Sequence, residues 1–123
     1  MSKAAFTLKA FAVYLFAVGP LLLLAPNLLL NALRHPETRE VWIRVLGVVV
    51  FNLGIYYWFA AKSEARAFFA ASVFTRMFVL IAFIALVLLG HAKPVLIPFG
   101  LIDFAGALWT LYALKSDPPL ISK

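Results

Sequence analysis

Cysteine is absent from the chain, which excludes disulfides, thiolate nucleophiles, iron–sulfur clusters and thiolate metal sites. Its absence also leaves the redox compartment open. Charge is scarce as well. Only 13% of the 123 residues are charged and five are acidic, where an ordinary globular domain is about a quarter charged. There is no Gly-rich phosphate loop and no His-Glu-x-x-His. Ser63, Ser72 and Ser116 have no histidine close by in sequence to activate them.

What the chain does have is apolar residue, 65% of the total, with a mean hydropathy of +1.01. Small soluble folds bury only about 60–70% of the surface that they expose when unfolded, so the remainder here must face another apolar medium. Lipid is that medium. The net charge is +6, yet the basic residues stand singly at the ends of apolar runs. Such placement suits snorkelling near anionic headgroups, and no basic patch interleaved with aromatics exists to bind nucleic acid. The first apolar stretch, from Ala10 to Leu33, is longer than the ~7–15 residues of a signal-peptide core and is read as a retained span.

A membrane helix needs about 20 mostly apolar residues. The sequence predicts spans over about residues 5–25, 41–61, 67–89 and 94–114, in one transmembrane domain covering 1–123. The first is expected to be interrupted at Gly19-Pro20 and stopped by Pro26. Asn27 to Arg34 is too short to cross and reads as a helix lying in the interface between the first two spans. Pro36, Glu37 and Glu40 form a helix start, since proline suits the first turn and acids the positive dipole end. Lys62 to Arg66 and Gly90 to Pro94 are tight turns, and Lys115 to Pro119 ends the fourth span. Short connections make neighbours antiparallel. The predicted fold is therefore all-α, a polytopic up-down-up-down bundle of four transmembrane helices.

Lys3, Lys9, Lys62, Arg66, Lys115 and Lys123 fall on one side, against Arg34, Arg39, Arg44 and Lys93 on the other. The positive-inside rule then places both termini in the cytoplasm of a multi-pass protein of the cell (inner) membrane. Tyr56, Tyr57, Trp58, Trp109 and Tyr112 gather toward the cytoplasmic interface, and Trp42 toward the other.

Charges at membrane depth cost about 2.5–3.5 kcal/mol each on insertion scales. Arg76 in the third span and Asp103 in the fourth are two such groups. At 1.5 Å rise per residue, each lies about 13–14 Å from the start of its helix, so antiparallel neighbours put them at similar depth. Asn52 and Tyr14 fall at the same depth, giving one central polar layer, with Arg44 nearer the outer interface. Two readings stay open for the layer. Arg76 and Asp103 neutralise each other and lock the bundle, or the layer binds a ligand or handles protons. For Tyr14 packing is the simpler reading, and for Arg44 snorkelling. Gly47 and Gly54 share a face of the second span, and Gly100, Asp103, Ala107 and Thr110 align on the fourth, as close helix packing requires. His35 and His91 fall in the first and third connections and are the candidates for haem or metal, though neither has a carboxylate at helical ligand spacing.

The order of these features resembles that of the DoxX-like small four-helix membrane proteins. The likeness lies in a first helix ending in proline, a short amphipathic stretch and an Arg-x-x-Gly opening the second span, here Arg44-Val45-Leu46-Gly47. A third helix with a buried arginine and a small-residue-rich fourth complete it over nearly the whole chain. The resemblance implies an accessory protein of membrane oxidoreductases, or one that interacts with lipid or quinone, although thiol redox chemistry has no cysteine to use. A fainter likeness is to a sterol-enzyme scaffold of similar layout.

The leading expectation is a non-enzymatic binding or accessory protein without a resident cofactor. It would hold a hydrophobic small molecule (quinone or lipid) or a membrane-protein partner at the polar layer. One alternative is a small dimeric proton-coupled exporter, in which Asp103 takes the role usually given to an acid in the first helix. Another is an integral-membrane isomerase using His35, His91 or Asp103. A homodimer is compatible with each.

Overall fold

The computed structural model describes residues 1–34 and 41–116. The described residues are all-α, without strands. They form α1 (Lys3–Leu24), α2 (Pro26–Ala32), α3 (Trp42–Lys62), α4 (Arg66–Leu88) and α5 (Leu96–Ser116). All but the seven-residue α2 are long and apolar enough to cross a membrane. Polarity is inverted relative to a water-soluble fold. Arg76, Ser72, Thr7 and Thr110 are buried, whereas Phe74 and Phe78 are 75% and 66% exposed. Water would not favour that arrangement and hydrocarbon does, so the chain is an integral membrane protein.

The first helix departs from the sequence expectation. α1 begins at Lys3 and runs unbroken through Pro20. A proline removes one i→i−4 hydrogen bond, a loss that transmembrane helices tolerate, so Gly19-Pro20 does not divide the span. Pro26 opens α2, at a first-turn position where the missing N–H would have no helical partner.

Two compact units make up the fold, one formed by Met1–Leu8 and Ala60–Lys123, the other by Lys9–Phe59. In the second unit α1 and α3 pack antiparallel, with Phe11 against Tyr57 and Phe16 against Phe51. Lys9 lies over the Trp58 ring, 4.6 Å from its centroid. The backbones meet at Gly47. A Cβ there would stand 2.6 Å from the Gly19 carbonyl oxygen and 2.6 Å from the Leu23 nitrogen. One turn earlier, Arg44 Nη1 donates to the Leu23 carbonyl, near the end of α1 where carbonyls lack helical partners. Arg44-x-x-Gly47 is thus a joint: the glycine admits the neighbouring helix and the arginine caps it.

In the first unit α4 and α5 pack antiparallel, with Arg76 opposite Thr110 and Leu80 opposite Gly100. Their connection starts with the N–H of Gly90 on Val87 O at 3.1 Å and of His91 on Leu86 O at 2.9 Å, the αL closure of a helix end. Gly90 has φ +82°, open to glycine at no steric cost. The α3–α4 turn repeats this closure with Glu64 in the left-handed position, φ +55°, and Ala65 N–H on Ala60 O at 3.0 Å. Its carboxylate is what ties it down: it accepts from Ser2 N–H at 2.9 Å and Ser2 Oγ at 2.6 Å. Ser2 Oγ in turn accepts the Ala5 N–H at 3.0 Å and caps the start of α1.

Candidate functional site

The densest polar construction lies in the first unit, around Arg76. A helical side chain leans toward the N-terminus of its helix, and Arg76 follows α4 back by one turn. Nε donates to the Ser72 carbonyl at 3.1 Å and Nη2 to Ser72 Oγ at 3.1 Å. Nη2 also donates to Thr110 Oγ1 on α5 at 2.8 Å. Thr110 Oγ1 is 2.7 Å from Thr7 Oγ1 on α1, which bonds to the Ala4 carbonyl at 2.7 Å.

Each hydroxyl has one proton, and that fixes the direction of the chain. Thr7 gives its proton to Ala4 O, so Thr110 must donate to Thr7, which leaves Thr110 to accept from Arg76. Ser72 gives its own proton to Phe69 O at 2.7 Å and is likewise free to accept. Arg76, Ser72, Thr7 and Thr110 are all at most 3% exposed. A charge in this position is retained because three charge-assisted bonds hold it and the Asp103 carboxyl lies within electrostatic reach.

Asp103 stands half-buried on the α5 face that carries Gly100, Ala107 and Thr110, within electrostatic reach of the Arg76 guanidinium. Arg76 and Asp103 therefore belong to one neighbourhood, with the guanidinium bonded toward Thr110. Tyr14, Asn52 and Arg44 belong to the second unit. Tyr14, half-buried, packs on Phe11 at 5.4 Å in the second unit. Asn52, also in that unit, is exposed and not part of a buried layer, because it sits across α3 from Gly47 and Gly54. Arg44 is exposed and serves the α1 end. His91 is exposed in the α4–α5 connection, and His35 lies outside the described residues. Among the described residues no group of three His, Asp or Glu gathers as a metal site would need.

Thr7, Ser72 and Thr110 are the members that sequence reasoning passed over as site residues. One signal was available for Ser72: a hydroxyl four residues before an arginine shares its helix face. Nothing local could connect Thr7 with Thr110, 103 positions apart.

Beside this network, an open groove of about 360 Å³ is lined by Ser2, Lys3, Phe6, Trp109, Tyr112 and Ala113. Phe6 and Trp109, each one residue from a network threonine, meet edge-to-face with centroids 5.9 Å apart and an interplanar angle of 81°. Lys3 opens α1 and Tyr112 is in the last turns of α5, so the groove is at the helix ends, where Trp, Tyr and Lys sit at the headgroup level. An apolar wall with a few polar atoms at its mouth and rigid hydroxyls behind can hold a molecule with a polar head and an apolar body.

No family model matches the chain, and no curated protein or solved structure does. The likeness to DoxX-like proteins rests on the quoted residues alone.

Proposed function

We propose that this protein is a small accessory or binding protein of the cell membrane that holds an amphipathic hydrophobic molecule, a lipid or a quinone, in the groove of the first unit. The observation that carries the reading is the groove itself, about 360 Å³, with Phe6, Trp109 and Tyr112 on its walls and Lys3 at its mouth. That volume lies within the ~300–1,000 Å³ usual for small-molecule sites. The Arg76–Thr110–Thr7 chain supports the role by fixing α1, α4 and α5 behind it. The role is binding, with the hydroxyl network as scaffold. Lys3, Lys62, Arg66 and Lys115 favour a cytoplasmic position for this end, and with it for both termini.

The test uses a Trp42→Phe/Trp58→Phe variant, in which Trp109 is the one tryptophan left. Its fluorescence is followed in mild detergent while a short-chain quinone and, separately, a short-chain anionic phospholipid are added. The expected result is a saturable change with one of the two that Tyr112→Ala weakens. Linear, unsaturated responses to both would overturn the proposal. Reporter fusions at Lys123 and at His91 should give cytoplasmic and far-side signals respectively.

A further inference from the structure

α3 has a second seam, unrelated to the groove. Trp42, Val45, Val49, Asn52, Tyr56 and Phe59 are spaced alternately three and four residues apart, the heptad spacing of two helices that wind about each other. All six are exposed, from 46% at Val45 to 72% at Trp42 among the apolar members. The seam is about half a turn around α3 from Gly47 and Gly54, which face α1, so α1 does not cover it.

Asn52 decides what does. It stands midway along the 21-residue α3, at the depth where hydrocarbon supplies neither donor nor acceptor. No described residue takes up its carboxamide. A carboxamide has both a donor and an acceptor, so it is complementary to another copy of itself. Copies of one chain insert in the same orientation, hence two α3 helices meeting in a bilayer run parallel and place Asn52 opposite Asn52 at equal depth. The flanking valines suit a two-stranded seam, and an asparagine at a heptad core position fixes register.

We infer that the protein forms a parallel homodimer through this α3 seam, with reciprocal Asn52 hydrogen bonds at its centre. The inference does not depend on the groove or its ligand.

The absence of cysteine makes the test clean. Val45→Cys, Val49→Cys and Tyr56→Cys, each alone in native membranes, should give dimers on oxidation. Ile43→Cys and Val50→Cys, about a third of a turn away from the seam, should not. In proteoliposomes at increasing lipid dilution, energy transfer between labelled copies should show Asn52→Leu weakening association about 5- to 30-fold. Asn52→Gln, which keeps both hydrogen-bonding groups, should restore it. Cross-linking without this periodicity, an Asn52→Leu dimer as tight as the wild type, or cross-links from the seam only to a different protein would each overturn the inference.

Discussion

The α1–α3 and α4–α5 seams solve the same problem with different materials. Between α1 and α3 the backbones come together at Gly19 and Gly47, and aromatic rings fill the space on either side. Between α4 and α5 the helices are joined by Arg76 reaching Thr110, with Thr7 of α1 completing the chain. Lipid tails are as apolar as leucine, so no hydrophobic force drives either pairing. What remains is close van der Waals contact or hydrogen bonding across helices. Close contact leads at the first seam, where Arg44 adds a bond to the Leu23 carbonyl, and buried hydrogen bonding leads at the second, where Gly100 adds a close approach to Leu80. The first seam is intolerant of added volume and the second of lost polarity.

Substitutions can break that contrast, and the largest effect is expected at Arg76. Arg76→Gln should lower stability in detergent by about 3 kcal/mol, the low end for stranding a buried partner because Asp103 is only half-buried. The Arg76→Gln/Asp103→Asn double variant should regain part of the loss. Strictly additive losses in thermal unfolding would show that the two charges do not act on each other. Next comes the other seam, where Gly47→Leu should cost about 2 kcal/mol by overpacking, with no remedy from polar substitutions nearby. A Gly47→Leu protein as stable as wild type would mean that the helices do not approach so closely.

Thr110→Val is the sharper probe of the polar seam, since it conserves shape. It removes the acceptor of Arg76 and the donor to Thr7, and should cost about 1–2 kcal/mol. Thr110→Ser, which keeps the hydroxyl, should stay much nearer to wild type. The smallest effect concerns the α3–α4 turn. Glu64→Ala loses the Ser2 bonds and keeps the left-handed backbone, whereas Glu64→Gly loses the bonds but removes the strain. The glycine variant should therefore be more stable than the alanine variant by about 1 kcal/mol. Equal melting temperatures for the two would mean that the strain at φ +55° is negligible.

The same contrast explains what could be read in advance. Apolar runs of membrane length are a local property, so the four spans and their all-α character were legible along the chain. The helix ends were nearly so, within about the one or two residues by which helix ends differ between definitions. Pro20 was misleading because proline in a helix interior looks like a break, although α1 passes through it. Position along a helix is a local property as well, which is why the sequence groups Arg76, Asp103 and Asn52 by their distance from the helix ends. Direction around the helix was less so, because an almost uniformly apolar helix has little periodic contrast to show which side is inward. Asn52 turns out to face outward and Thr110 inward for that reason.

Composition by itself therefore determined that this chain lives in lipid, spans it with helices, and carries a few polar groups that must be satisfied there. Hydrocarbon offers no hydrogen bonds and charges no premium on apolar surface, so those conclusions need no knowledge of which residues meet. Only the tertiary structure decided that Arg76 bonds to Thr110 and Ser72, that Thr7 joins them, and that the Arg44-x-x-Gly47 element is a cap and a close approach. Hydrogen bonds of this kind act over about 3 Å. Between residues far apart in sequence, the packing of the helices alone brings the partners within that range.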